Sequence, residues 1–195
     1  MSMLDKVAVR MIAVAGLFGA AVLSAPAQSQ ELAERTYGFG TPVTPEDLAP
    51  FFSIPPSGRG LPAGSGTGEA GAQVFADNCA ACHGEDLAGI PDPGIGGDRL
   101  IGGRGSLASE APVKTVESYW PYATTLFDYV KRAMPFHAPG SLSDDEVYAV
   151  VAYVLSQAKI IAPTDEMNAQ TLPAVEMPNR DGFIPDSRPE HALYR

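Results

Sequence analysis

Cys79 and Cys82 are the only thiols in 195 residues, and a histidine follows them directly in the stretch CAACHG. Four chemistries begin from that spacing. A disulfide between neighbours three apart closes a very small loop and constrains little of the unfolded chain. A thioredoxin-like redox pair needs a βαβ setting, and no such pattern surrounds these residues. A zinc clip needs four ligands, whereas Cys79, Cys82 and His83 give three at an awkward spacing with no second cluster nearby. The fourth is the C-x-x-C-H attachment of a c-type haem, with thioether bonds at Cys79 and Cys82 and iron ligation by His83. This reading explains more of the chain than the others do, because a buried flat ring gives a long loop something to pack on.

Such an iron needs a ligand on its other side. Met134, Met167, Met177, His137 and His191 are the candidates, since Met1, Met3 and Met11 stand in the N-terminal leader described below. Met134 is favoured. It ends a helical pattern in AMPFHAPG, where Pro135, Pro139 and Gly140 stiffen the loop and preset the thioether. A methionine before a proline at a helix end is also poorly placed as core filler. His137, three residues on, is the runner-up.

The elements that must position these groups are helices joined by long loops. GEAGAQVFADN has a helical spacing that leads into the motif and ends by Gly84. Residues 85–112 are rich in glycine and proline and show no period. From Ser118, YWPYATTLFDYVKRAM reads as a helix with Pro121 in its first turn, and Pro135 forces its end at Met134. Ser143 to Glu146 spell a capping box, in which Ser143 accepts from the Glu146 amide and Glu146 reaches back. Val147, Val150, Val151, Val154 and Leu155 then form one apolar stripe. The body is therefore all-α, three to four short helices with no convincing strand.

Two proline-rich segments flank that body. Residues 28–67 form an N-terminal arm with one short helical turn near 44–49, and residues 162–195 form a C-terminal extension. Phe51, Phe52, Phe183 and Ile184 would anchor such arms on a partner. The competing expectation is that both arms wrap the domain's own surface. At the start of the chain, Lys6 and Arg10 precede an apolar run over 11–23, and Ala25 and Ala27 form an A-x-A site. Residues 1–27 read as a cleaved export signal, with no stable membrane insertion afterwards. A formal charge of −10 argues against nucleic acid and suits a basic docking surface on a partner.

CAACHG, the A-M-P loop and the closing helix LSDDEVYAVVAYVL resemble a class I c-type cytochrome over about residues 68–158. That resemblance implies one covalently bound haem c in a domain over 68–161, with Gly71 and Phe75 crossing Tyr148 and Val151. It further implies that Pro91 or Pro93 supplies the carbonyl that orients His83, and offers Arg99, Arg104, Trp120 and Tyr122 as candidates for the haem propionates. ERTYGFGTPVTPEDLAPFF, GRGLPAGSGTGEAG, YWPYATTLFDYVKRAMPF and LPAVEMPNRDGFIPD extend the likeness. They resemble the cytochrome subunit of Sox sulfur dehydrogenase and of sulfite dehydrogenases. This chain departs from the longer members, which carry two haem domains, by its single C-x-x-C-H. The resemblance implies a periplasmic electron-transfer subunit rather than the catalytic one. Its partners would be a molybdenum-cofactor dehydrogenase subunit and a downstream cytochrome or oxidase. The alternative is a freely diffusing carrier cytochrome, for which the two arms have no use.

Overall fold

Thr67 sets the start of the first helix. Its backbone is extended and its hydroxyl accepts from the Ala70 amide at 3.2 Å, so helix α1 runs over Gly68–Asn78. The computed structural model describes residues 40, 43–44, 47, 53–94 and 96–184. The leader at 1–27, His191, Phe51 and Phe52, and all of the expected turn near 44–49 except Thr44 and Asp47, lie outside the described residues. Helix α1 leads into the single turn Ala80–His83, α2, which carries the motif.

The second long helix, α3, spans Ala123–Ala133 rather than starting at Ser118. Ser118 is committed elsewhere. Its hydroxyl donates to the Val113 carbonyl at 2.6 Å and accepts from the Thr115 amide at 3.0 Å, while its own amide donates to the Thr115 hydroxyl at 3.1 Å. These local bonds offer the backbone an alternative to the helix. Tyr122 is the extended cap, and Pro121 precedes the helix instead of opening it. At the far end Met134 is extended, as its proline neighbour requires.

Helix α4, Asp144–Gln157, begins at the expected capping box. The Ser143 amide donates to Glu146 Oε2 at 2.8 Å, and the Glu146 amide donates to the Ser143 hydroxyl at 3.3 Å. The stripe from Val147 to Leu155 is buried, and with Phe75, Leu126 and Phe127 it forms the centre of the core. Helices α1 and α4 meet through Gly71, where an added Cβ would stand 2.9 Å from Tyr153 Cβ and nearer still to the Ala149 carbonyl. The crossing contacts therefore fall on Ala149 and Tyr153, whose ring is 5.1 Å from Phe75. Tyr148 faces the other way, onto Phe127 at 4.5 Å.

A small antiparallel ladder was not expected. Ser65–Thr67 (β1) pairs with Glu166–Asn168 (β2), with Gly66 opposite Met167. Three residues a side are too few to show an alternating pattern in sequence. The ladder joins the end of the N-terminal arm to the C-terminal extension. Parts of both arms lie on the body: Met167, Leu172 and Met177 are buried in the core, and Ile54 and Leu61 pack against it. Asp128 accepts from the Ile54 amide at 2.8 Å, and the Tyr148 hydroxyl donates to the Pro62 carbonyl at 2.9 Å. The helical body is thus not complete without its extensions. No helix among the described residues is long and apolar enough to cross a membrane.

Candidate haem site

The α1–α2 junction places Cys79, Cys82 and His83 on the wall of a cavity of about 480 Å³. That volume suits a cofactor cleft. Phe75 from α1, Leu126 and Val130 from α3, and Val150, Val151 and Val154 from α4 supply apolar wall. Leu100, Val116 and Trp120 come from the long connection, and Met134 from the cap of α3. The residues that carry the chemistry therefore converge from separate elements on one apolar space.

His83 is held by its surroundings. Its Nδ1 lies 2.7 Å from the Asp98 carbonyl oxygen. With the proton on Nδ1 donated there, the Nε2 lone pair is left as the ligand atom. Asp98 thus fills the role expected of Pro91 or Pro93. The loop reaches it by folding back on the motif: the Gly89 amide donates to the His83 carbonyl, and the Gly97 amide to the Cys82 carbonyl, each at 2.8 Å. Gly97 permits the approach, since a Cβ there would stand 2.9 Å from both Nδ1 and Cε1 of His83.

Cys79 and Cys82 stand as separate thiols, not as a disulfide. Burial, and secondarily the neighbouring Cys82, pushes the Cys79 thiol up to about 11. A redox dithiol needs the opposite shift, toward the thiolate. Among the described residues, no group of three or more His, Cys, Asp or Glu is arranged to hold a metal ion by itself.

Among the other ligand candidates, Met134 and His137 line the cavity. Met167 and Met177 are buried in the core and do not line it. Of the expected propionate groups, Arg99 and Trp120 line the cavity. Arg104 instead pairs with Glu117 at 2.9 Å and donates to the Ala158 carbonyl at the end of α4. Tyr122 lies near Arg180, whose guanidinium carbon is 6.0 Å from the ring centre. Sequence reasoning missed Gly97, Asp98 and Lys114, all on the cavity wall. The paired Gly96-Gly97 before Asp98 was the available signal, since adjacent glycines mark a close backbone approach.

An apolar cavity with two unpaired thiols and an oriented imidazole on its wall is the receptacle of a covalent haem, and the class it defines is the electron-transfer cytochromes. The cytochrome c family model matches residues 68–158. Cytochrome c6 of Synechococcus elongatus is 36% identical over 92 residues, 45% of this chain and 87% of that protein. Cytochrome c6 of Picosynechococcus sp. is 38% identical over 102 residues, 51% and 81% of the two chains. The crystal structure of the sulfane dehydrogenase SoxCD from Paracoccus pantotrophus matches with a TM-score of 0.69 and 38% identity. That match covers 81% of this chain and 77% of the other. The chain belongs to the cytochrome c family, as a class I c-type cytochrome that carries one covalently bound haem c and transfers electrons.

Proposed function

We propose that this chain is the electron-accepting cytochrome subunit of an exported, molybdenum-dependent sulfur-compound dehydrogenase. Cys79 and Cys82 hold the haem, His83 and Met134 ligate its iron, and residues 1–27 direct export to the periplasm. The observation that carries the partnership is the extent of one likeness. The family domain accounts for residues 68–158, whereas the match to the sulfane dehydrogenase SoxCD covers 81% of the chain at 38% identity. The additional likeness falls in the extensions, outside the part shared with cytochrome c6. The sequence resemblance to cytochrome subunits of sulfur and sulfite dehydrogenases runs through the same segments.

Haem held by Cys79 and Cys82 would supply a one-electron centre, and ligation by a histidine and a methionine would raise its potential relative to two histidines. The protein's own part is to hold that centre. The Asp98 carbonyl orients the His83 ring, apolar side chains from three helices line the cavity, and Met134 stands on its wall at the cap of α3. No residue of the cavity is required to break or form a substrate bond.

Two experiments test the reading. Protein isolated untagged from its native host is expected to co-elute with molybdenum and to show sulfite- or thiosulfate-dependent haem reduction. A lone monomer without molybdenum overturns the partnership and leaves the diffusible carrier. For the ligands, Met134→Ala is expected to abolish the weak near-infrared band of methionine–ferric ligation and to lower the potential. Loss of that band in Met167→Ala or Met177→Ala instead overturns the assignment.

A further inference from the structure

Trp120 is the only tryptophan of the chain, and it lines the haem cavity on a stretch that no helix holds. Residues 119–122 lie between the bonded pair Thr115 and Ser118 and the first residue of α3. Pro121 has no amide hydrogen to give. The Tyr119 amide donates to the Thr115 carbonyl at 3.0 Å, but the Tyr119 carbonyl belongs neither to that turn nor to the helix. A backbone carbonyl in a partly buried place needs a donor. It comes from 60 positions along the chain, where the Asn179 side-chain amide donates to the Tyr119 carbonyl at 2.7 Å.

Other residues of the C-terminal extension close on the same stretch. The Phe183 ring meets Tyr119 edge-on at 5.2 Å, and the Arg180 guanidinium carbon stands 6.0 Å from the centre of the Tyr122 ring. Both are separations at which such pairs attract. The base of this clamp is fixed, since Met177 is buried in the core. The Arg180 amide donates to the Met177 carbonyl at 3.0 Å, and the Gly182 amide to the Asn179 carbonyl at 3.1 Å. Gly182 also makes room for the Asn179 side chain, because a Cβ there would collide with Asn179 Oδ1. On the cavity side, Trp120 meets Tyr129 of α3 edge-on at 5.7 Å, and Lys114 sits 5.2 Å over the Tyr119 ring. Tyr129 and Lys114 both line the cavity. A segment beyond the family domain of 68–158 thus bears on a wall of the haem site.

We propose that Asn179, Arg180 and Phe183 are positioning residues for the redox centre. Acting through Tyr119 and Tyr122, they hold Trp120 against the cavity and so govern how far water reaches the haem and where its potential lies. Water-poor surroundings disfavour the additional charge of ferric haem, so a wall held in place keeps the potential up and a loosened one lowers it. This depends on bound haem and on no particular partner, so its failure leaves the dehydrogenase reading untouched.

The test is made on the holoprotein with two readouts that a loss of stability alone would not move. One is the reduction potential, by spectroelectrochemical titration. The other is the emission of Trp120, which a nearby haem quenches by energy transfer. Asn179→Ala is expected to lower the potential and raise the emission. Asn179→Asp keeps the shape but offers the Tyr119 carbonyl no hydrogen, and is expected to do the same. Gly182→Ala, whose methyl displaces the Asn179 side chain, should follow them in both readouts. Asn179→Gln retains an amide donor and is expected to lie closer to wild type than Asn179→Ala. Glu176→Gln, an exposed change in the same extension, is expected to leave both readouts at wild-type values. A lower melting temperature in Asn179→Ala and Asn179→Asp, with potential and emission unchanged, overturns the proposal and leaves a bond that serves stability only. A rise in emission at wild-type potential overturns it too. So does a shift in Glu176→Gln as large as that in Asn179→Ala, since any change to the extension would then act.

Discussion

Gly71→Ala sets two effects of known sign against each other at the crossing of α1 and α4. Alanine is the better helix former, by about 1 kcal/mol in a helix interior. Its methyl, however, would stand 2.9 Å from Tyr153 Cβ, and the Ala149 carbonyl carbon and oxygen are closer still. Carbon atoms pack best at about 3.5–4.0 Å, so Tyr153 alone demands a shift of about 0.6 Å or more. The nearer atoms are backbone of α4 and cannot rotate away. The helices must separate, and overpacking of this kind costs about 1–3 kcal/mol. The clash wins, with a net loss of up to about 2 kcal/mol, or about 4–8 °C in melting temperature for a chain of this size. Thermal unfolding of the holoprotein, followed by far-ultraviolet circular dichroism and by the haem absorption, measures it. Ala72→Gly on the exposed side of the same turn is the control, expected to lose about 1 kcal/mol through propensity alone. If Gly71→Ala melts at or above wild type, the close approach of the two helices is wrong.

Other consequences are as direct. Ser143→Ala removes the capping box of α4 and is expected to cost about 1 kcal/mol near neutral pH in urea unfolding. Hydrogen bonds from Ser143 hold the Glu146 carboxyl below its usual range. That stabilisation is present above the ordinary carboxylate value and fades as pH falls through the lowered one, so the gap between wild type and Ser143→Ala is expected to narrow in acid. Tyr148 behaves in the reverse sense: burial, then the Asp144 charge, pushes its phenol up to about 12. Its contribution is intact below about pH 10, where the unfolded phenol begins to ionise, and is lost as pH rises toward 12. Tyr148→Phe, which also loses the bond to Pro62, is expected to be about 1 kcal/mol less stable at pH 7 and to show a weaker alkaline decline. Arg104→Ala strips the mostly buried Glu117 of its cation and is expected to cost about 1–2 kcal/mol in the same assay.

What could be read from the chain alone follows the range of the interactions involved. The capping box at Ser143, the end of α3 before Pro135 and the haem motif are each written within a few neighbouring residues, and each stands where the sequence indicates. The start of α3 was misplaced because the competing bonds between Thr115 and Ser118 look like helix-compatible residues in a linear scan. The Asp98 carbonyl was missed for a different reason. A backbone oxygen has no side-chain signature, so only the loop's return onto His83 identifies it. The β1–β2 ladder joins segments about a hundred positions apart through three residues each. Nothing local announces it. Choosing Met134 over Met167 and Met177 rested on backbone position; Met134 and His137 line the cavity, and the other two methionines are buried in the core.

The role of the extensions follows from the last helix. A helix apolar on one face needs one neighbour, but α4 is buried at Val147 through Ala152 without a break and again at Val154 to Ser156. A helix apolar all round must be covered all round. Helix α1 covers the side at Ala149 and Tyr153, the haem cavity takes Val150, Val151 and Val154, and α3 meets Tyr148 through Phe127. Both strands of the small ladder also pack on α4, and Pro62 receives the Tyr148 hydroxyl. The short helices of this domain do not enclose α4 by themselves, so the sequence continues past both ends of the family domain to finish the job. The segments around residues 54–67 and 166–177 are therefore part of the fold before they are anything to a partner. What the body leaves uncovered includes Phe136 beside the haem cavity and Ile184 at the end of the described extension.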